Sequence, residues 1–296
     1  MFENIIGNDE VKKMLSESVE NNMATHSYLF VGISGIGKKM IAKEFAKMLL
    51  CNGENKYCNS CKSCVEFDSN NNPDFMCIEP QESTIKIDQI RYLQKKIQEK
   101  PIISNNKVYI IDDADCMTTE AQNCLLKTLE EPPQFATIIL IGSNESLFLP
   151  TIRSRCMIVN FRPLNNEQIK EFLRTHYNME NINENTLDMF EGSIGRAISL
   201  KDKQEEYKSI QDVIENIDKR DIIDIVNLAD PIYKGKDEIF DILDYINIIL
   251  LKKAKKQPIY ANCIDIVENT KKRLKQNANY DMSIDNMLFK IWEEVN

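Results

Sequence analysis

Short, wholly apolar runs alternate with stretches whose apolar positions recur every third or fourth residue through the first half of the chain. The run SYLFVG at 27–32 reads as a strand ending in a glycine-rich turn. From Lys38 to Leu50 the spacing of Ile41, Ala42, Phe45, Met48 and Leu49 predicts a helix. The alternation then repeats. A strand is expected within DFMCIEP (74–80), a helix over 87–99 on Ile87, Ile90, Leu93 and Ile97, and a strand in KVYIIDD (107–113). A helix follows over 118–131, stopped by Pro132 and Pro133, then strands in ATIILIGS (136–143) and MIVNF (157–161). Apolar strands alternating with helices predict a parallel sheet covered on both faces. After Pro163 the strand pattern stops. Asn165 to Gln168 reads as a capping box opening the helix QIKEFLRTHY. In the segment 235–257, IFDILDYINIILL is apolar on nearly every face, the pattern of a buried helix.

Composition changes this picture little. The 296 residues suffice for two or three small domains, and 43% hydrophobic with 28% charged residues is ordinary for a globular protein. There is no apolar stretch of membrane-spanning length. The opening MFENIIGNDEVKKML has neither a basic leader nor an apolar core, so no signal peptide and a cytoplasmic location are expected. A net charge of −9 argues against a chain that grips nucleic acid alone, because phosphate neutralisation needs clustered Lys and Arg. It leaves room for one subunit of a DNA-handling assembly.

The first candidate chemistry lies in GISGIGKK, Gly32 to Lys39, between a predicted strand and a predicted helix, the context a P-loop requires. Gly32, Gly35 and Gly37 let the backbone curl so that N–H groups face a phosphate, and Lys38 supplies a point charge at a helix N-terminus. The eighth position is Lys39, where hydrolases place the Ser or Thr that holds Mg²⁺. An ammonium cannot ligate a metal, so Mg²⁺ is disfavoured. Asp112 and Asp113 end an apolar strand and provide the acidic partner motif, but Asp113 is a methylene shorter than the usual Glu. ATP or ADP is expected to be held weakly at most and not hydrolysed, and the isolated chain is not expected to be an efficient ATPase.

The second candidate is the spacing C-x6-C-x2-C-x2-C of Cys51, Cys58, Cys61 and Cys64. Four thiolates suit tetrahedral zinc, and a C-x2-C knuckle sets sulfurs about 3.7 Å apart. With four sulfurs to close the shell, the site reads as structural Zn²⁺. Cys77, Cys116, Cys124, Cys156 and Cys263 fall in apolar patterns and are expected in the core. His26 and His176 have no partner in sequence and read as surface or packing residues.

LLKTLEEPP (125–133), SNES (143–146) and TIRSRC (151–156) follow the acidic strand in that order. Together with GISGIGKK, the four-cysteine module, NPDFMCIEP, IIGNDEVKKML and THSYLFVG, they resemble the clamp-loader branch of the AAA+ family over essentially the first 200 residues. The resemblance implies an α/β P-loop (AAA+) domain at 1–163 including the zinc module 51–64, an all-α helical lid at 164–202, and an all-α collar at 203–296. It implies that Arg155 is an arginine finger reaching, in trans, the γ-phosphate on a neighbouring subunit, a contribution of roughly 10³–10⁵ in rate in well-studied cases. Asn144 falls at the sensor-1 position and Arg196 at the sensor-2 position, while Arg153 reads as a solvated charge. The implied partners are the gamma/tau and delta subunits, the sliding clamp and, through the complex, primer-template DNA; no membrane is implied. Within the branch, Lys39 and the end of the chain at Asn296 favour a subunit without turnover of its own over an active gamma/tau-type ATPase. The zinc module and LLKTLEEPP argue against an AAA+ protein of recombination or chaperone pathways.

Overall fold

The computed structural model describes residues 2, 5–54, 57–179, 182 and 184–296, and within them the side chains of Gln204 and Asp237 are left aside. Asn55 and Lys56 of the cysteine module lie outside the described residues. The chain divides into two compact units, residues 1–168 with 193–195, and residues 169–192 with 196–296.

The first unit is built on five strands, β1 (Ser27–Val31), β2 (Phe75–Ile78), β3 (Lys107–Ile111), β4 (Ala136–Gly142) and β5 (Met157–Asn160). All pair in parallel, in the order β2-β3-β4-β1-β5. Around them stand α1 (Asp9–Glu20), α2 (Lys38–Leu50), α3 (Lys62–Asp68), α4 (Ile87–Ile97), α5 (Thr119–Glu130) and α6 (Pro150–Arg153). The central strands are apolar because both sheet faces are covered, and their side chains alternate between two cores. Phe30, Val108, Ile110 and Ile139 join Ile41 and Phe45 of α2 on one face. Leu29, Tyr109, Ile111 and Leu140 join Ile90 and Leu93 of α4 and Leu125 and Leu129 of α5 on the other. The predicted strands all form, each one to three residues shorter than its apolar run.

Parallel strands bring the loops after β1, β2, β3 and β4 to one sheet edge, where α/β folds place their ligands. Thr118 caps α5 by accepting the Ala121 N–H at 3.3 Å. Gly35 has a left-handed φ of 76° and touches the backbone of Gly195, whose N–H donates to the Gly35 carbonyl at 2.9 Å.

Among the described residues no strand follows Asn160. The capping box forms as read. Gln168 N–H donates to Asn165 Oδ1 at 2.8 Å, and Asn165 N–H to Gln168 Oε1 at 3.1 Å. This opens α7 (Asn166–Tyr177), followed by α8 (Glu184–Met189), α9 (Ile194–Leu200), α10 (Gln204–Glu215), α11 (Ile222–Leu228), α12 (Asp230–Lys234), α13 (Ile239–Ala254), α14 (Tyr260–Lys275) and α15 (Tyr280–Val295). In the second unit α13 is the centre. It packs on α8, α10 and α14, burying Ile242, Leu243, Ile246, Ile249 and Leu250. Its apolar pattern exceeds its burial, since Phe240 and Leu251 remain exposed. No helix of the described residues is long and apolar enough to cross a membrane.

Candidate nucleotide and metal sites

The loop Gly32–Gly37 runs from β1 into α2, with Gly35 and Gly37 in left-handed conformations at φ 76° and 91° that favour glycine. Lys38 is buried and donates to the carbonyls of Gly32 at 2.5 Å and Ile33 at 2.7 Å. Burial lowers its affinity for the proton, against the pull of Asp113, Asp115 and Asp112.

Lys39 turns to the neighbouring strands. Its Nζ lies 2.8 Å from Asp112 Oδ2, just past β3, and 2.5 Å from Glu79 Oε1, just past β2. Burial pulls the Lys39 value down, but hydrogen bonds to Asp112 and then Glu79 outweigh it and hold the ammonium above the ordinary lysine range. The same contact holds the Glu79 carboxyl below its usual range. Mg²⁺ does not fit this donor set: position 39 carries no hydroxyl, and the acid that would hold the metal already has a cation against it.

Asp113 begins a short 3₁₀ turn in a left-handed conformation, φ 45°. Its carboxyl is shifted up, first by burial and then by the carboxylates of Asp112 and Asp115. Asp115 ties this turn to the end of β4, where its Oδ2 accepts the Ser143 N–H at 2.8 Å and the Ser143 hydroxyl. Asn144 spends its side-chain oxygen on Ser146, accepting from the backbone N–H and the hydroxyl at 2.9 Å each. Arg196 ion-pairs with Glu191 at 2.7 Å and Asp241 at 3.1 Å, all within the helical unit.

Arg155, just past α6, donates to Glu130 Oε1 at 2.6 Å and to the Thr151 carbonyl at 2.9 Å. Glu130 is the first acid of the Glu-Glu-Pro-Pro stop, so LLKTLEEPP and TIRSRC meet in space. Arg153 is half-buried and paired with Glu145 at 3.2 Å, where a solvated charge was expected; the short α6 presses it against the turn after β4.

Cys51 at the end of α2, Cys58 and Cys61 in the following loop, and Cys64 in the first turn of α3 bring their sulfurs within 4.8 Å of one another. Cys51 and Cys58 sulfurs are 3.6 Å apart, close to the edge of a tetrahedron of zinc–sulfur bonds. The N–H groups of Cys58, Cys61 and Cys64 point at the sulfurs of Cys51, Cys58 and Cys61 at 3.4, 3.3 and 3.5 Å. Donors from the Ser60 and Cys61 backbone draw the Cys58 thiol down to about 5, whereas burial pushes Cys64 up. Four thiolates with their own N–H donors fit Zn²⁺, and the arrangement is closed to a fifth ligand from the described residues. Cys263 is buried, and Cys77, Cys124 and Cys156 are partly so. Cys116 corrects the core expectation. The 3₁₀ turn points Ala114 inward and leaves Cys116 exposed. His26 and His176 are both exposed, with the His176 ring stacked on Phe172.

A family model described as "DNA polymerase III, delta subunit" matches residues 7–165, more than half of the chain. The chain belongs to the DNA polymerase III delta subunit family. The family match spans the sheet, the P-loop, the cysteine module and Arg155. The DNA polymerase III subunit delta' of Bacillus subtilis is 39% identical over 164 residues, 55% of this chain and 50% of its own length. Its counterpart in Pseudomonas aeruginosa is 37% identical over 136 residues, 45% and 42% of the two chains. The B. subtilis subunit tau is 28% identical over 290 residues, 97% of this chain and 48% of its own. The chain thus spans half or less of the length of these curated relatives.

The sequence motifs did not single out Glu79, Glu130 or Asp115 as partners of Lys39, Arg155 and Ser143. Each stands inside a quoted motif, IEP, LEEPP and DDAD, but only the parallel register and, for Glu130, the packing of α5 on α6 show whom it faces.

Proposed function

We propose that the chain is the delta-prime subunit of a bacterial clamp loader, working beside gamma/tau and delta subunits to load a sliding clamp onto primer-template DNA. Its own P-loop holds ATP or ADP without turning it over, and Arg155 acts in trans on the γ-phosphate bound by a neighbour. Residues 164–202 serve as a lid, with Asn144 and Arg196 in the sensor positions, and residues 203–296 as a collar packing on other subunits. The four-cysteine module is a structural zinc site. The family assignment and the two delta' relatives support this reading.

The observation that carries it is the pairing of Lys39 with Asp112. It occupies the acid a hydrolase needs for its metal, while Arg155 stands partly exposed beyond the sheet. The similarity to tau supports the alternative of an active ATPase subunit, and Lys39 speaks against it. In a loader reconstituted with its partner subunits, Arg155→Ala should lower turnover at the neighbour's site by at least about tenfold, a floor well below the roughly 10³–10⁵ of well-studied arginine fingers. Assembly by size-exclusion chromatography should be unchanged. Unaltered ATPase removes the finger role, and rapid ATP turnover by the purified wild-type chain alone sinks the passive reading.

A further inference from the structure

We propose that the Lys39 ammonium is a built-in counter-ion standing in for the divalent cation of a P-loop hydrolase, so that this site binds nucleotide phosphates without metal and excludes Mg²⁺. The inference rests on the reading of Gly32–Lys38 as a phosphate loop. It goes further by giving the site a metal-free chemistry and by assigning Glu79 a part in it.

Two loops converge on one ammonium. Lys39 lies in the first turn of α2, Asp112 follows β3, and Glu79 follows β2, at the edge where the P-loop leaves β1. Nζ bridges the two carboxylates at 2.8 and 2.5 Å, and the Asp112 side chain is only 13% exposed. A divalent ion coordinating Asp112 would have to sit about 2.0–2.1 Å from a carboxylate oxygen, in space the ammonium now fills. It would also stand a few ångströms from a positive charge, a repulsion that partial burial strengthens. Lys38 lies in the field of Asp113, Asp115 and Asp112, and Lys39 is paired with Asp112 and Glu79, so two ammonium groups already stand among these carboxylates. The cluster therefore resembles a metal site whose ion has been replaced by a tethered cation.

A threonine at position 39 would reverse this. It would leave the Asp112 and Glu79 carboxylates without their cation and add a hydroxyl, a hard-oxygen set suited to Mg²⁺ or Mn²⁺. The test uses the full zinc-loaded chain and Mn²⁺, followed by the loss of the free-ion signal in electron paramagnetic resonance. Wild type and Lys39→Arg should take up no Mn²⁺ that depends on Asp112. Lys39→Thr should gain one equivalent, lost again in Lys39→Thr/Asp112→Asn; Lys39→Ser is the substitute should the threonine variant not fold. In a second arm, a fluorescent ADP analogue should bind wild type within about twofold equally in Mg²⁺ and in EDTA. The same analogue should bind Lys39→Thr at least about tenfold more tightly with Mg²⁺, a gain of about 1.4 kcal/mol.

Asp112-dependent Mn²⁺ uptake by the wild type, or none by either position-39 hydroxyl variant, overturns the counter-ion. Nucleotide binding by wild type that requires Mg²⁺, or that is absent, overturns the metal-free phosphate site. These readouts are independent of the loader's ATPase, so the trans role of Arg155 can fail while this inference stands, and the reverse.

Discussion

Asp74 should be among the costliest single side chains to remove from the first unit. It follows Pro73 in the NPDF segment and is buried to 1% exposure. Its two carboxylate oxygens accept the backbone N–H groups of Ile102, Ile103 and Ser104, each at 2.7 Å. No apolar packing replaces that hold at the loop tip, because Ile102 is 72% exposed. Hydrogen bonds to a charged acceptor contribute roughly 1.5–3 kcal/mol each, and three would sum to about 4.5–9 kcal/mol. The exposed tip can recover part of this from water, so Asp74→Ala is expected to cost about 3–5 kcal/mol, and Asp74→Asn, which keeps one acceptor oxygen, about 2–3 kcal/mol. At about 2–4 °C per kcal/mol for a unit of this size, the alanine variant should melt roughly 6–20 °C lower.

The lone tryptophan, Trp292, lies in the helical unit, so its fluorescence would miss the effect. Hydrogen exchange read by mass spectrometry sees both units separately. Protection should fall over residues 98–106 and spread to 62–72 through the Ser63–Ser104 and Asn72–Ser63 hydrogen bonds, at 2.7 and 3.0 Å. Unchanged exchange over 98–106, or a melting shift under about 2 °C, would refute the reasoning.

Two further outcomes test other parts of the chain. Cys58→Ser, or treatment with a strong zinc chelator, should release the metal measured by atomic absorption. It should also lower the melting temperature of the first unit and leave Trp292 fluorescence unmoved; full retention of one zinc per chain by the variant would rule out the four-thiolate assignment. The Lys39–Glu79 pair should appear in the acid limb of stability. Because Lys39 depresses the Glu79 carboxyl in the folded state, the pair stabilises above the ordinary glutamate range. That gain is lost as pH falls through the depressed folded value. Glu79→Gln should therefore flatten urea midpoints below about pH 4.3. Both groups are more than a third exposed, so the loss at neutral pH should stay under about 1 kcal/mol; a steeper acid limb in the variant would reverse the sign.

The layout of the first unit was legible because its physics is local. An apolar pentad such as KVYII can satisfy itself only between two covered faces, and Gly-rich turns, Pro132-Pro133 and the Asn165–Gln168 box punctuate the elements between them. The cysteine module was legible for the same reason, since three of its four ligands sit within seven residues. What escaped depends on strand order. Glu79 and Asp112 are far apart in sequence but become neighbours because β2 pairs with β3, with Ile78 opposite Ile111. Arg155 meets Glu130 because α5 packs on α6. Cys116 was misread because the 3₁₀ turn rotates residues differently from the strand that precedes it.

The two cation–carboxylate pairings suit opposite tasks. Arg155 and Glu130 are 33% and 49% exposed, and a pair so hydrated contributes only about 0–1 kcal/mol. Glu130 can thus hold the guanidinium ready and yield it to a phosphate, which offers more charge and bidentate geometry, at little cost. Lys39 is bound by two carboxylates at once, one of them Asp112 at 13% exposure, and giving it up would strand a charge in a partly buried pocket. An arginine held by one exposed carboxylate and a lysine held by two, one of them largely buried, are what a subunit needs if it is to complete another's phosphate site while leaving its own silent. Glu130 therefore only positions the guanidinium, and the proposed trans contact depends on Arg155 itself.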